Sequence, residues 1–99
     1  MAGFVQIIEM KTSRYDEVDK LTDEWRAQTQ GRRATGRAMV TKDRDTPNTY
    51  VVVVEFPSHE AAMKNNDLPE TAQFAEQMAK LCDAPPTFRN LDLEKVESD

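Results

Sequence analysis

The chain has 99 residues, 38% of them hydrophobic, which is one domain's worth of sequence (residues 1–99, core about 3–96) around a single core. Its net charge of -5 works against nucleic acid, because phosphate binding needs clustered Lys and Arg, and no stretch approaches the ~20 apolar residues that cross a bilayer. Met1-Ala2-Gly3-Phe4 runs straight into a strand pattern with no basic and apolar leader, and Cys82 and His59 are the only cysteine and histidine. A cytoplasmic protein without disulfide or metal is expected, with neither membrane nor nucleic acid as partner.

Phe4 to Met10 is short and rich in β-branched and aromatic residues, which predicts a strand apolar on both faces. Ser13, followed by Asp16, predicts a capping box that opens a helix. Val18, Leu21, Thr22, Trp25 and Thr29 form the inward stripe of that helix against a charged opposite side, and Gly31 is placed to stop it. Ala34 to Lys42 alternates as an edge strand, the cluster from Asp43 to Asn48 reads as a hairpin turn, and Thr49 to Phe56 is the strongest strand. Ser58 caps a short helix over residues 59–64 that Asn65-Asn66 interrupts. Asp67 and Glu70 predict a second capping box, and Leu68, Ala72, Phe74, Ala75 and Met78 give the inward stripe of the helix that follows. Asp83-Ala84-Pro85-Pro86 ends it; Thr87 to Val96 is the last strand, with Leu91 and Leu93 on one face, and Glu97-Ser98-Asp99 is a frayed tail.

The resulting β-α-β-β-α-β order is that of an α+β, ferredoxin-like domain, with helices on one face of a four-stranded antiparallel sheet. Val51 to Val54 are apolar on both faces, and β1 offers Phe4, Ile8 and Met10 on one face and Val5 and Ile7 on the other. The face without helices would then expose more apolar surface than monomers tolerate, which predicts a homodimer packed sheet face to sheet face about a two-fold axis.

Four stretches, taken together, resemble the dimeric α-β barrel superfamily, and within it the antibiotic-biosynthesis monooxygenase-like branch. They are Gly3-Phe4-Val5-Gln6-Ile7-Ile8-Glu9, the hairpin ending Tyr50-Val51-Val52-Val53-Val54-Glu55-Phe56, the helix start Ser58-His59-Glu60-Ala61, and Pro69 ahead of a helix containing Phe74. The resemblance implies a dimeric α-β barrel with a pocket between helices and sheet. Haem-degrading members carry an asparagine, a tryptophan and an axial histidine at positions that match Gln6, Asn65 and Phe74; with no imidazole at Phe74, haem loses its ligand and no cofactor is expected. Hydroxyarene oxygenases of the family carry an asparagine and a tryptophan at positions that match Val52 and Phe56, and a hydrocarbon at Val52 cannot donate to a developing oxyanion.

No catalytic residue is therefore assigned. The candidate pocket residues are Gln6, Trp25, His59, Asn65 and Phe74. Gln6 is an amide in an apolar strand that either lines a pocket or is satisfied by a neighbouring strand or the dimer mate. Trp25 is a stacking platform or a core residue, His59 an acid-base group or a surface histidine, and Asn65 and Asn66 a cavity mouth or a helix break. Cys82, near a helix C-terminus, reads as inert. Arg37 and Tyr50 on neighbouring strands are candidates for a carboxylate or phenolate, and the cluster of Arg26, Arg32, Arg33 and Arg37 for an anion, against the plainer reading of solvated charges. Three functions stay open: a small-molecule-binding homodimer for a hydrophobic or aromatic ligand, a cofactor-independent monooxygenase or cyclase-like enzyme acting on an aromatic or polyketide-type metabolite, and a stress-related dimeric interaction module without turnover.

Overall fold

A computed structural model describes residues 3–34 and 36–98. Met1 and Ala2, Thr35 of the expected second strand and Asp99 of the tail lie outside the described residues. The elements are β1 (Phe4–Lys11), α1 (Tyr15–Gln28), β2 (Arg37–Lys42), β3 (Thr49–Phe56), α2 (His59–Asn66), α3 (Pro69–Leu81) and β4 (Thr87–Asp92). Strands pair antiparallel in the order β2-β3-β1-β4, so the fold is the expected ferredoxin-like one with its second helical segment split in two.

Register decides which residues share a face, because directly opposed residues point the same way. Phe4, Gln6, Ile8 and Met10 oppose Phe56, Val54, Val52 and Tyr50. Met10 is buried with Val18 of α1 and Met78 of α3, Tyr15 of α1 stacks on Tyr50 at 4.4 Å, and His59 of α2 sets its ring edge on Phe4 at 5.1 Å. All three helices therefore lie on that face. Val5, Ile7, Val51 and Val53, flanked by Met39 of β2 and Leu91 of β4, point the other way, and among the described residues no helix covers them.

Several element boundaries differ from expectation, each for a tertiary reason. Ser13 does not cap α1. Arg14 is the N-cap and no side chain caps the helix; the fully buried Thr12 instead ties the turn before it, its hydroxyl accepting from the Arg14 amide at 2.9 Å and donating to the Leu81 carbonyl at 2.7 Å, while the Ser13 hydroxyl reaches the Asp83 carboxylate at 3.4 Å. α1 stops at Gln28, where the buried Thr29 hydroxyl donates back to the Trp25 carbonyl at 2.7 Å. Gly31 has the positive φ expected of it, 85°, in the turn beyond the helix. β2 begins only at Arg37: the Ala34 amide is drawn off to the Asn65 side chain at 3.3 Å, and Gly36 runs so close to β3 that a Cβ there would lie 1.9 Å from the Glu55 carbonyl oxygen. Asn65 and Asn66 do not interrupt α2, which runs through both, because Asn65 is turned inward and is 7% exposed. The break comes at Asp67-Leu68, and the second capping box does not form: Leu68 is the N-cap, and Glu70 turns to Arg32. The last strand ends at Asp92 rather than Val96, because β1 begins at Phe4 and offers no further ladder; one more bond, Leu93 amide to Gly3 carbonyl at 2.9 Å, follows, and Val96 is 67% exposed.

Candidate functional site

Between Lys42 and Tyr50 at one end of the helix-facing side and Asp92 at the other, the sheet is apolar except where β1 meets β4 at Gln6. There Gln6 and Asn90 are direct cross-strand partners, and the Gln6 Nε2 donates to Asn90 Oδ1 at 3.2 Å. The neighbouring strand thus satisfies one end of the Gln6 amide. Its carbonyl and the Asn90 amide nitrogen have no protein partner among the described residues, which leaves an acceptor and a donor side by side. Around them Ile8, Val52 and Val54 are half-buried although they face the helices, and Phe88, next to Ile8 on the same face, is 51% exposed. The helix layer covers the sheet from Met10 and Tyr50 inward and leaves this shelf open along β4.

The other candidates sit in separate surroundings. Trp25 and Phe74 come together at the seam of α1 and α3, rings stacked at 5.5 Å; the Trp25 Nε1 donates to the Thr71 hydroxyl at 3.0 Å, and the Arg33 guanidinium lies 5.5 Å from the indole. Phe74 continues into the Met10, Val18 and Met78 core. His59 packs on Phe4 at the far end of the sheet, and Asn65 holds the loop ahead of β2. Arg37 and Tyr50, candidates for one ligand by their neighbouring strands, are on opposite faces: Arg37 opposes Glu55 on the helix-free side and bonds its carboxylate at 3.1 Å, whereas Tyr50 opposes Met10 beneath α1. Burial and then Asp83 push the Cys82 thiol up, so it is held protonated. Among the described residues no group of three or more metal-ligating side chains gathers.

Two open concavities mark the surface. One, of about 280 Å³, lies between the loop at Arg32-Arg33-Ala34 and the first turns of α2, with Ser58, Glu60 and Lys64 in its wall. The other, of about 450 Å³, lies at the start of α1 around the stacked Tyr15 and Tyr50, with Arg14, Asp16 and Glu17. Neither is lined by Gln6, Trp25 or Phe74. Sequence reasoning missed Asn90, Thr71 and Tyr15. The alternation that puts Leu91 on one face already puts Asn90 on the other, but only the register with β1 reveals Gln6 as its neighbour.

Neither a family model nor any curated protein matches the chain. Solved structures do. SnoaB, a cofactor-independent oxygenase from Streptomyces nogalater, superposes with a TM-score of 0.81 at 14% identity over 100% of both chains. A Caulobacter crescentus protein named for antibiotic biosynthesis monooxygenases gives 0.80 at 13% identity over 95% of this chain and 92% of that one. Rv0793 from Mycobacterium tuberculosis gives 0.76 at 15% identity over 97% and 99%. The chain has the antibiotic biosynthesis monooxygenase-like fold. The resemblance seen in the strand and helix patterns is therefore one of architecture over nearly the whole chain, while identities of this size leave the side chains of the site to speak for themselves. No helix among the described residues is long and apolar enough to cross a membrane.

Proposed function

We propose that the chain is a single-domain cytoplasmic protein that works as a homodimer and binds a small hydroxylated aromatic molecule on the shelf between helices and sheet. The observation that carries this reading is the exposed Gln6–Asn90 pair, an unfilled acceptor and donor beside the half-buried Ile8, Val52 and Val54 and the exposed Phe88. Ligand sites are mostly apolar with a few placed polar groups that set orientation, and a flat ring bearing a hydroxyl beside a carbonyl matches this arrangement.

The test is equilibrium binding of a panel of hydroxynaphthoquinones and hydroxyanthraquinones, followed by calorimetry. At least one should bind in the micromolar range, and Gln6→Leu, which keeps the size and removes the amide, should weaken it about tenfold, the loss of one or two hydrogen bonds. Binding that is indifferent to Gln6→Leu, or absent across the panel, refutes the reading.

A second reading, a cofactor-independent monooxygenase, is favoured by the shared fold with SnoaB. In this chain the helix-facing β3 positions next to the polar pair are Val52 and Val54, neither of which donates a hydrogen bond, so binding without turnover is the outcome expected. Oxygen uptake with any binder, abolished by Gln6→Leu, would establish the enzyme instead.

A further inference from the structure

The concavity between the Arg32-Arg33-Ala34 loop and α2 is separate from the shelf, and its chemistry is different. In a chain of net charge -5 it gathers three cations, Arg32, Arg33 and Lys64, against one carboxylate, Glu60. Arg32 is already engaged: it pairs with Glu70 and donates to the Gln28 carbonyl at 2.8 Å. Arg33 and Lys64 have no carboxylate partner among the described residues. One guanidinium nitrogen of Arg33 donates to the Arg26 carbonyl at 2.8 Å and to the Thr29 hydroxyl at 3.1 Å, which fixes the side chain over Trp25 and leaves the rest of its donors unused.

The walls are held in place before any ligand arrives. The Arg32 and Arg33 amides both bond the Thr29 carbonyl at 3.0 Å, the Ala34 amide is fixed by Asn65, and Gly36 is pressed against the β3 backbone. Opposite, Ser58 caps α2 by accepting from the Ala61 amide at 3.1 Å, and the Glu60 amide belongs to the helical turn that has no intrahelical acceptor. The second concavity makes the contrast: it holds one cation, Arg14, already paired with Glu17, and a further carboxylate, Asp16. A volume of about 280 Å³ is at the lower limit of ordinary ligand pockets, which suits a small ion or the charged end of a larger molecule.

We infer that this concavity is a binding site for a small oxyanion, a phosphate or a carboxylate, held by Arg33, Lys64 and the first turn of α2. Charge-assisted bonds from a guanidinium and an ammonium supply the affinity, and the fixed loop supplies the geometry. The site is independent of the shelf under the helices.

Titration of the full chain with inorganic phosphate and, separately, with acetate, each at constant ionic strength and followed by amide resonances, tests it. Saturable shifts at Arg33, Glu60, Ala61 and Lys64 are expected in at least one series, and comparison of the two assigns the anion as phosphate or carboxylate. Lys64→Gln and Arg33→Gln should each weaken binding about tenfold. Glu60→Gln should tighten it, and Arg14→Gln and Gln6→Leu should leave it unchanged. Because Arg33 also packs on Trp25, the Lys64 and Glu60 variants are decisive should Arg33→Gln disturb the fold. Shifts that never saturate with either anion, or saturable binding that Lys64→Gln and Glu60→Gln do not move, overturn the inference.

Discussion

Thr12 and Ser13 stand side by side between β1 and α1, and only Thr12 is buried. Ser13 has the right type and spacing for a cap, but Thr12, one residue earlier, is fully buried and joins the end of β1 to the start of α1 and the end of α3. Its second partner is the carbonyl of Leu81, on the other side of the sequence, so nothing in the window around Thr12 announces it. Thr12→Val keeps the shape and orphans a buried carbonyl and an amide; it should lower unfolding stability by about 2 kcal/mol in urea titration. Ser13→Ala, at an exposed position, should cost less than about 0.5 kcal/mol. Glu70 likewise has the spacing to look back along its own helix and instead bonds Arg32 across the molecule. The hydrogen bond from that guanidinium, foremost, holds the Glu70 carboxyl below the ordinary carboxylate range. With its folded value lowered, this carboxyl adds stability above the ordinary range and loses it as pH falls through the lowered value. Carbon-detected titration should find Glu70 titrating below a free glutamate, and Arg32→Gln should return it toward the ordinary value.

At the scale of elements the strong periodic segments are legible. β3 has the predicted limits, α3 starts at Pro69, and the Asp43 side chain accepts the Asp45 and Thr46 amides at 2.9 and 3.1 Å in the hairpin turn. What escapes are ends set by another element. Ala34 and Gly36, before β2, fit the strand's alternation, yet Ala34 is fastened by Asn65 to α2, and Asn65 itself looks like a helix break because its partner is out of local view. Two glycines flank Ala34 for different reasons. Gly31 needs its left-handed φ of 85° and has nothing within 4 Å of a Cβ, whereas Gly36 needs space that the β3 backbone denies to any side chain. Gly31→Ala should therefore cost about 1 kcal/mol of conformational strain and leave amide protection unchanged. Gly36→Ala should cost about 3 kcal/mol or more, since backbone rather than a flexible side chain must move, and should strip hydrogen-exchange protection from β2 while β1 and β4 keep theirs. Equal effects from the two substitutions would refute the distinction.

The whole molecule raises the matter of its uncovered face. The candidate site is only partly legible in the sequence, because a sequence gives parity along a strand but not register between strands: Gln6 stands out as a lone amide, while Asn90 beside it does not. The same parity becomes decisive once register is known. Val53 opposes Ile7 and Met39 on the helix-free face, and Val54 opposes Gln6 and Ala38 on the side of the helices. Val5, Ile7, Val51 and Val53 form an apolar strip running diagonally across the two central strands, with Met39 and Leu91 beside it, Glu9 opposite Val51, Arg89 beside Ile7 and the Arg37–Glu55 pair toward one margin, an apolar centre with a charged rim. In the homodimer proposed above, a second copy related by a two-fold axis presents the same strip and covers it. Light scattering after size exclusion at low micromolar concentration should give about twice the 11.3 kDa chain mass. Val53→Asp places a carboxylate at the centre of that contact, where burying an unpaired charge costs several kcal/mol, and should yield a smaller species that keeps its helical circular dichroism if the monomer holds together. Val54→Asp strikes the shelf beneath the helices instead and should reduce aromatic-ligand binding while the dimer persists. A wild-type chain that elutes as a monomer, or a Val53→Asp variant that dimerises as tightly as wild type, would leave the strip without the partner argued for it.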